Sequence, residues 1–162
     1  MIYLVKHPET ENNVAEKLTG WQKSEYTEKG KNQFKKIVKY FEDKDLNVFS
    51  SDLPRALMLG NKIASVVCGG IVVDKSLREQ NFKETLPKSS FENKKAFRKR
   101  VFDWIDENKM NGTVIVSHSG TIVEIILNLL GSDSLKHIDA PRDVIFKIET
   151  IKNENKLSVI QT

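Results

Sequence analysis

Two of the three histidines in this sequence stand directly behind short apolar runs. His7 follows Ile-Tyr-Leu-Val-Lys at 2–6, and His118 follows Thr-Val-Ile-Val-Ser at 113–117, each leading into the residues of a turn or a helix start. Arg55 comes just after a third such run, Asn-Val-Phe-Ser-Ser at 47–51, and Glu79 lies in Ser-Leu-Arg-Glu-Gln-Asn-Phe at 76–82, after Ile-Val-Val at 71–73. In an open α/β sheet ligands collect outside the carboxyl ends of the strands, so groups far apart in sequence converge on one crevice there. Two imidazoles, the guanidinium of Arg55, the ammonium of Lys6 and the carboxyl group of Glu79 compose a site for phosphate. Cations neutralise the oxygens while a neutral imidazole attacks phosphorus. A metal site built from His7, His118 and Glu79 is the competing chemistry, but the ligand spacings HxH and HExxH do not occur. His137 stands in no such context and reads as an ordinary capped or solvated histidine.

The elements that must carry these groups follow from the hydrophobic pattern. The four apolar runs are short, rich in branched residues and separated by helix-length segments, which predicts mostly parallel strands covered on both faces. The stretch 27–43 opens with Thr27 and Glu28, and its Phe34, Ile37, Val38 and Phe41 fall three or four apart, as in an amphipathic helix. Ser51 and Asp52 ahead of Pro54 predict a second helix start, with the helix ending before Gly69-Gly70. A third helix is expected over 89–109, with Phe91, Phe97, Val101, Trp104 and Ile105 on its core face and lysines and arginines on a solvated one. The segment 120–130 is apolar nearly throughout and predicts a helix packed on the sheet. Finally, 143–151 and 156–161 flank Asn153-Glu154-Asn155 and read as a terminal hairpin.

Composition sets the frame. A chain of 162 residues fits a single domain, 1–162, and 39% hydrophobic with 30% charged residues argues against disorder and against a membrane protein. No apolar run approaches the roughly 20 residues that span a bilayer, and nothing resembles a signal peptide, so a cytoplasmic location is expected. The net charge of +4 suits an anionic ligand, yet the lysines are spread along the whole chain. Without zinc-finger spacing, an aromatic RNA-binding signature or a basic arm, neither nucleic acid nor membrane is expected as a partner. The single cysteine, Cys68, lies in Ala-Ser-Val-Val-Cys-Gly-Gly and reads as a buried bystander.

Five segments, in order, resemble a known family. Lys6-His7-Pro8-Glu9-Thr10-Glu11-Asn12-Asn13 is similar to the Arg-His-Gly-Glu-Thr-x-x-Asn signature of the histidine phosphatases, the phosphoglycerate mutase-like superfamily. Gly20-Trp21 with Tyr26-Thr27-Glu28-Lys29-Gly30-Lys31-Asn32-Gln33 resembles its second element, and Ser50-Ser51-Asp52-Leu53-Pro54-Arg55-Ala56 its third. Leu77 to Phe82 matches Leu-x-Glu-x-x-Phe, and Ser117-His118-Ser119-Gly120 matches Ser-His-Gly-Gly. The sequence departs from the pattern at Lys6, at Pro8 and at Lys83-Glu84-Thr85-Leu86-Pro87, where the family has arginine, glycine and Gly-x-Trp-Glu-Gly.

The resemblance implies a three-layer αβα sandwich with a mostly parallel sheet of about six strands, helices on both faces and a C-terminal hairpin. It implies catalytic roles for His7, Glu79 and His118, phosphate contacts from Lys6, His7, Asn13, Arg55 and His118, and substrate contacts from Thr19, Gly20 and Ser119. Glu84 is the reserve proton donor. The implied reaction needs no metal or organic cofactor: His7 takes the phosphoryl group, Glu79 protonates the leaving alkoxide, and water releases phosphate, with Lys6, Arg55 and a protonated His118 supplying positive charge. A phosphate monoester, small or carried on a protein, is the expected partner, and monomer and dimer both stay open. Only residues 80–112 separate Glu79 from the next strand, which favours hydrolysis over a mutase that must shield its intermediate from water. A phosphoester-binding pseudoenzyme is the alternative from another class, motivated by Lys6 and Pro8.

Overall fold

A computed structural model describes residues 1–85, 90–108, 110–131, 144–151 and 154–162; His137 lies outside them. Its strands are β1 (Ile2–Lys6), β2 (Asn47–Ser50), β3 (Ile71–Val73), β4 (Thr113–Ser117), β5 (Val144–Ile151) and β6 (Glu154–Gln161). They form one sheet in the order β3-β2-β4-β1-β5-β6. The first four run parallel, β5 pairs antiparallel with β1, and β6 returns antiparallel to β5 as the expected hairpin.

Helices cover both faces. Leu4, Ile115, Phe146 and Ile148 point to one side, where they pack with Phe97, Val101, Trp104 and Ile105 of α4 (Lys94–Glu107) and Ile122, Ile125 and Ile126 of α5 (Ser119–Leu130). Tyr3, Val5, Val48, Val114, Val116 and Ile145 point to the other, against Ile37, Val38 and Phe41 of α2 (Glu28–Phe41) and Ala56, Leu59 and Ile63 of α3 (Pro54–Ala64). The period-two alternation of the strands and the three-to-four spacing of the helices divide the core into two layers of side chains. A one-turn helix, α1 (Glu11–Val14), precedes α2. No helix among the described residues is long and apolar enough to cross a membrane.

Several expectations are corrected by the structure. The helix expected over 89–109 is shorter, opening only after Asn93, whose side chain accepts from Ala96 N–H. Phe91 therefore lies ahead of it and is half-exposed. Its cationic face is not simply solvated, since Lys94 and Arg98 meet the carboxylate of Glu124, which is wholly buried in the otherwise apolar α5, at 2.6 and 2.9 Å. Ser51 does not start α3: Leu53 is its N-cap and Pro54 its first residue. The β3 run is apolar but only lightly covered, because it lies at the sheet edge with Val72 and Val73 exposed. Cys68 is exposed and not buried.

The turn after β1 is locked to α2. Thr27 N–H donates to the Glu9 carbonyl at 3.2 Å, Thr27 Oγ1 to Glu9 Oε1 at 2.8 Å, and Gly30 N–H back to Thr27 Oγ1 at 3.0 Å. Glycine at position 30 permits this approach, since a Cβ there would stand 2.0 Å from the Glu9 carbonyl oxygen. Gly30→Ala must push α2 off the turn that carries His7, and should cost about 1 to 3 kcal/mol, the usual range for overpacking. Urea unfolding at unchanged slope measures it, and a variant as stable as the parent would refute the close packing.

Candidate active site

Parallel pairing places the site. Lys6 at the end of β1 is in register with Ser117 at the end of β4, and Ser50 at the end of β2 with Val116, so the residues that follow all three strands emerge side by side. His7 N–H extends the ladder to the Ser117 carbonyl at 3.0 Å, and the His7 and His118 rings lie 5.2 Å apart between centroids. Glu79 arrives from farther away, through a single 3₁₀ turn, Lys75–Leu77, behind the edge strand β3. Three bonds draw its segment inward: Ser117 Oγ to the Leu77 carbonyl (2.7 Å), Thr121 Oγ1 to the Arg78 carbonyl (2.9 Å) and Gly120 N–H to Glu79 Oε2 (3.1 Å).

Around these groups lies a cavity of about 200 Å³, lined by Lys6, His7, Asn13, Thr19, Gly20, Arg55, Glu79 and Ser119, with Lys17, Leu18 and Phe82. Three cationic side chains and one carboxylate therefore face a space smaller than the usual pocket for a drug-sized ligand. Glu84 is exposed and lines no part of it, so of the two acids it is Glu79 that faces the cavity. Lys17, Leu18 and Phe82 are lining residues that sequence reasoning missed. The signal for the first two was their position between Asn13 and Thr19-Gly20, and for Phe82 its place in the Glu79 motif.

The hydrogen bonds determine the state of His7. Its Nδ1 is 2.8 Å from the Pro8 carbonyl, which can only accept, so Nδ1 carries the proton. Its Nε2 is 3.3 Å from Nε–H of Arg55, which can only donate, so Nε2 presents its lone pair. Arg55 is buried and spends two more of its five N–H groups on the carbonyls of Gln22 (3.0 Å) and Gly20 (2.7 Å), leaving two for a ligand. Burial pulls its pKa down to about 10, with Glu79 and Tyr26 acting in the opposite direction. Burial in turn raises the Tyr26 hydroxyl, which donates to the Arg55 carbonyl.

Asn13 is oriented as firmly. Its Oδ1 accepts from both N–H and Oγ1–H of Thr10, at 3.0 and 2.9 Å, which turns its amide N–H donors the other way. Gly20 adopts φ +49°, and a Cβ there would strike Thr85 Oγ1 at 2.4 Å, so both backbone angle and space demand glycine. Glu79 accepts at its two oxygens from Gln80 N–H (2.9 Å) and Gly120 N–H (3.1 Å), which fixes the carboxyl plane.

His118 differs from expectation. It lies beneath the cavity and does not line it, wholly buried, with Nε2 2.9 Å from Ser51 Oγ and Nδ1 without a hydrogen-bond partner among the described residues. Burial, then the nearby charges of Arg55, His7, Arg100 and Lys6, hold its pKa well below the ordinary value of 6.5, so it is neutral and not the extra cation expected from sequence.

The comparisons with known proteins bear on this arrangement. A model of the histidine phosphatase superfamily, branch 1, matches residues 2–109. The chain belongs to this superfamily. The fold agrees: a phosphoserine phosphatase from Entamoeba histolytica, solved with 3-phosphoglyceric acid, superposes at a TM-score of 0.77 with 22% identity over 99% of this chain and 96% of that one. An alpha-ribazole phosphatase from Shigella flexneri gives 0.76 at 20% identity, over 99% of this chain and 96% of that one. A mycobacterial glucosyl-3-phosphoglycerate phosphatase gives 0.73 at 17%, over 98% and 96%. At these identities the likeness is one of fold. In sequence, the chain is 36% identical over 81 residues to a protein named a probable phosphoglycerate mutase, GpmB, from Erwinia tasmaniensis. That match spans 49% of this chain and only 38% of that protein.

The state of His118 makes stability depend on pH in a stated direction. In the unfolded chain it takes up a proton near 6.5, whereas in the folded protein it does not until far lower pH, so its contribution is complete above 6.5 and is lost as pH falls below. The loss is at most about 1.4 kcal/mol per pH unit. His118→Asn should flatten the fall in melting temperature between about pH 7 and pH 5, the range in which an ordinary histidine titrates. Parallel profiles for parent and variant would show that His118 does not titrate on unfolding.

Proposed function

We propose that this member of the histidine phosphatase superfamily hydrolyses a small phosphate monoester through a phosphohistidine on His7, with no metal ion. The observation that carries the reading is the tautomer of His7, whose Nδ1–H is held by the Pro8 carbonyl and whose Nε2 lone pair is turned toward Arg55 at the edge of a cationic cavity. A nucleophile needs that lone pair, and the fixed tautomer supplies it without a further base.

As phosphate enters, Arg55 Nε–H exchanges His7 Nε2 for a phosphoryl oxygen, which frees the nucleophile and neutralises charge in one movement. Lys6, the amide of Asn13 and the two remaining N–H groups of Arg55 receive the other oxygens. His7 Nε2 then bonds to phosphorus as the ester P–O bond breaks, and protonated Glu79 passes its proton to the departing alkoxide. In the second step water attacks phosphorus, its proton goes to the Glu79 carboxylate, and the P–N bond breaks to return His7 and free phosphate. His118 backs His7 from beneath the cavity as a neutral, rigid partner anchored by Ser51. Thr19, Gly20 and Ser119 bound the space for the alcohol portion.

Hydrolysis is favoured over transfer because the 33 residues 80–112 leave little chain to shield an intermediate from water, and among the described ones α4 is the one α-helix. Retained phosphate binding without turnover of any ester would favour the binding-module alternative.

Brief incubation with labelled substrate should leave an acid-labile, base-stable phosphoryl group on His7, and His7→Ala should abolish both label and turnover. Label on Ser51 would overturn the mechanism. Lys6→Met should lower kcat/KM by roughly ten- to a hundredfold, while Lys6→Arg, which keeps the charge, should lose less. Steady-state kinetics with the fold checked by melting measure both, and a Lys6→Met enzyme within about twofold of the parent would remove Lys6 from the site.

A further inference from the structure

We propose that Arg78 and Asp52 form a strut that positions Glu79 for proton donation; the proposal rests on the role given to Glu79 above. Arg78 Nε and NH2 donate to Asp52 Oδ1 and Oδ2 at 2.6 and 2.5 Å, a two-pronged pair with each side chain about a fifth exposed. The Trp21 ring stacks on the guanidinium, 4.4 Å from ring centroid to Cζ, and its Nε1–H donates to the Glu79 carbonyl at 2.8 Å.

These contacts close a ring through the site. Asp52 adjoins Ser51, the partner of His118, and stands three residues ahead of Arg55. Arg55 binds the Gly20 carbonyl, Gly20 adjoins Trp21, Trp21 holds Glu79, and Glu79 adjoins Arg78, which returns to Asp52. The cation expected to hold phosphate and the acid expected to protonate the leaving group reach the cavity on separate segments. Asp52–Arg78 is a direct side-chain link between those segments.

Neither member reaches the chemistry itself. Arg78 does not line the catalytic cavity; with Trp21 it lines a separate pocket of about 450 Å³. A planar guanidinium, clamped by a carboxylate in its plane and by an indole on its face, has little freedom to shift. Through the peptide bond that rigidity passes to Glu79, where a misplacement of about 1 Å is costly to proton transfer. The hydrogen bond from Arg78 also holds the Asp52 carboxyl below its ordinary pKa, which keeps the pair charged at neutral pH.

The test compares two esters across Arg78→Met, Asp52→Asn, Glu79→Gln and the double variant Arg78→Met/Glu79→Gln. p-Nitrophenyl phosphate has a leaving group that hardly needs a proton, whereas glycerol phosphate releases an alkoxide that does. Arg78→Met and Asp52→Asn should each lower kcat/KM on glycerol phosphate at least about tenfold, and on p-nitrophenyl phosphate less than about threefold. In the Glu79→Gln background, Arg78→Met should add almost nothing on glycerol phosphate, because a strut that acts through Glu79 has nothing left to position. Melting temperatures near the parent's separate this from misfolding, and the near-isosteric Asp52→Asn carries the test if Arg78→Met is unstable. Equal slowing of both esters, or full additivity with Glu79→Gln, would overturn the strut while leaving Glu79 the acid. A Glu79→Gln enzyme that slows both esters alike would instead overturn the role of Glu79, and the strut with it.

Discussion

Everything at the site descends from the parallel pairing of β1 with β4. Lys6 faces Ser117 across that ladder, so the next residue on each strand is a histidine, and the two rings meet at 5.2 Å. A slip of one residue would turn Leu4 and Val5 to the wrong core layers and part the two histidines together. The register that buries the sheet is thus the register that assembles the site, and neither can be altered alone.

A second constraint is the gathering of charge where water is scarce. Arg55 is almost wholly buried, and the chain offsets its desolvation with backbone carbonyls from Gly20 and Gln22 and with the nearby carboxylate of Glu79. Those carbonyls also tie down the loop from Lys17 to Gln22, part of which lines the cavity. Histidine 118 meets the same scarcity in the opposite way, by staying neutral against a single hydroxyl. The outcome is a cavity lined by three cationic side chains beside the lone pair of His7, with a neutral His118 beneath it.

Helix α5 joins these regimes. Its first turn follows His118 directly and brings Gly120 N–H to Glu79, while one turn later Glu124 is buried against Lys94 and Arg98 of α4. A buried carboxylate without partners would be severely destabilising, and these ion pairs tie α4 to α5 beside their shared apolar core. The side chains that looked like a solvated face in isolation are the partners that make Glu124 tolerable.

The strands, four of the helices and most of the candidate site were legible in the sequence, because each is written in local terms. Alternation and three-to-four spacing report which face is buried, and the motifs around His7, Arg55, Glu79 and His118 sit at strand ends where any open sheet collects ligands. What the sequence could not settle depends on contacts between segments far apart in the chain. The charge of His118 depends on its burial and on Lys6, His7, Arg55 and Arg100, brought near it from distant segments; that Glu79 and not Glu84 faces the cavity depends on the bonds from Ser117, Gly120 and Thr121 that pull its segment inward. The exposure of Cys68, Val72 and Phe91 depends on where the sheet ends and where α4 begins. Sequence alone therefore determined which residue types stand at the ends of the strands, because periodicity is a property of neighbours in the chain. Only the tertiary structure decided their tautomers, charges and partners, because desolvation and hydrogen bonding are properties of neighbours in space.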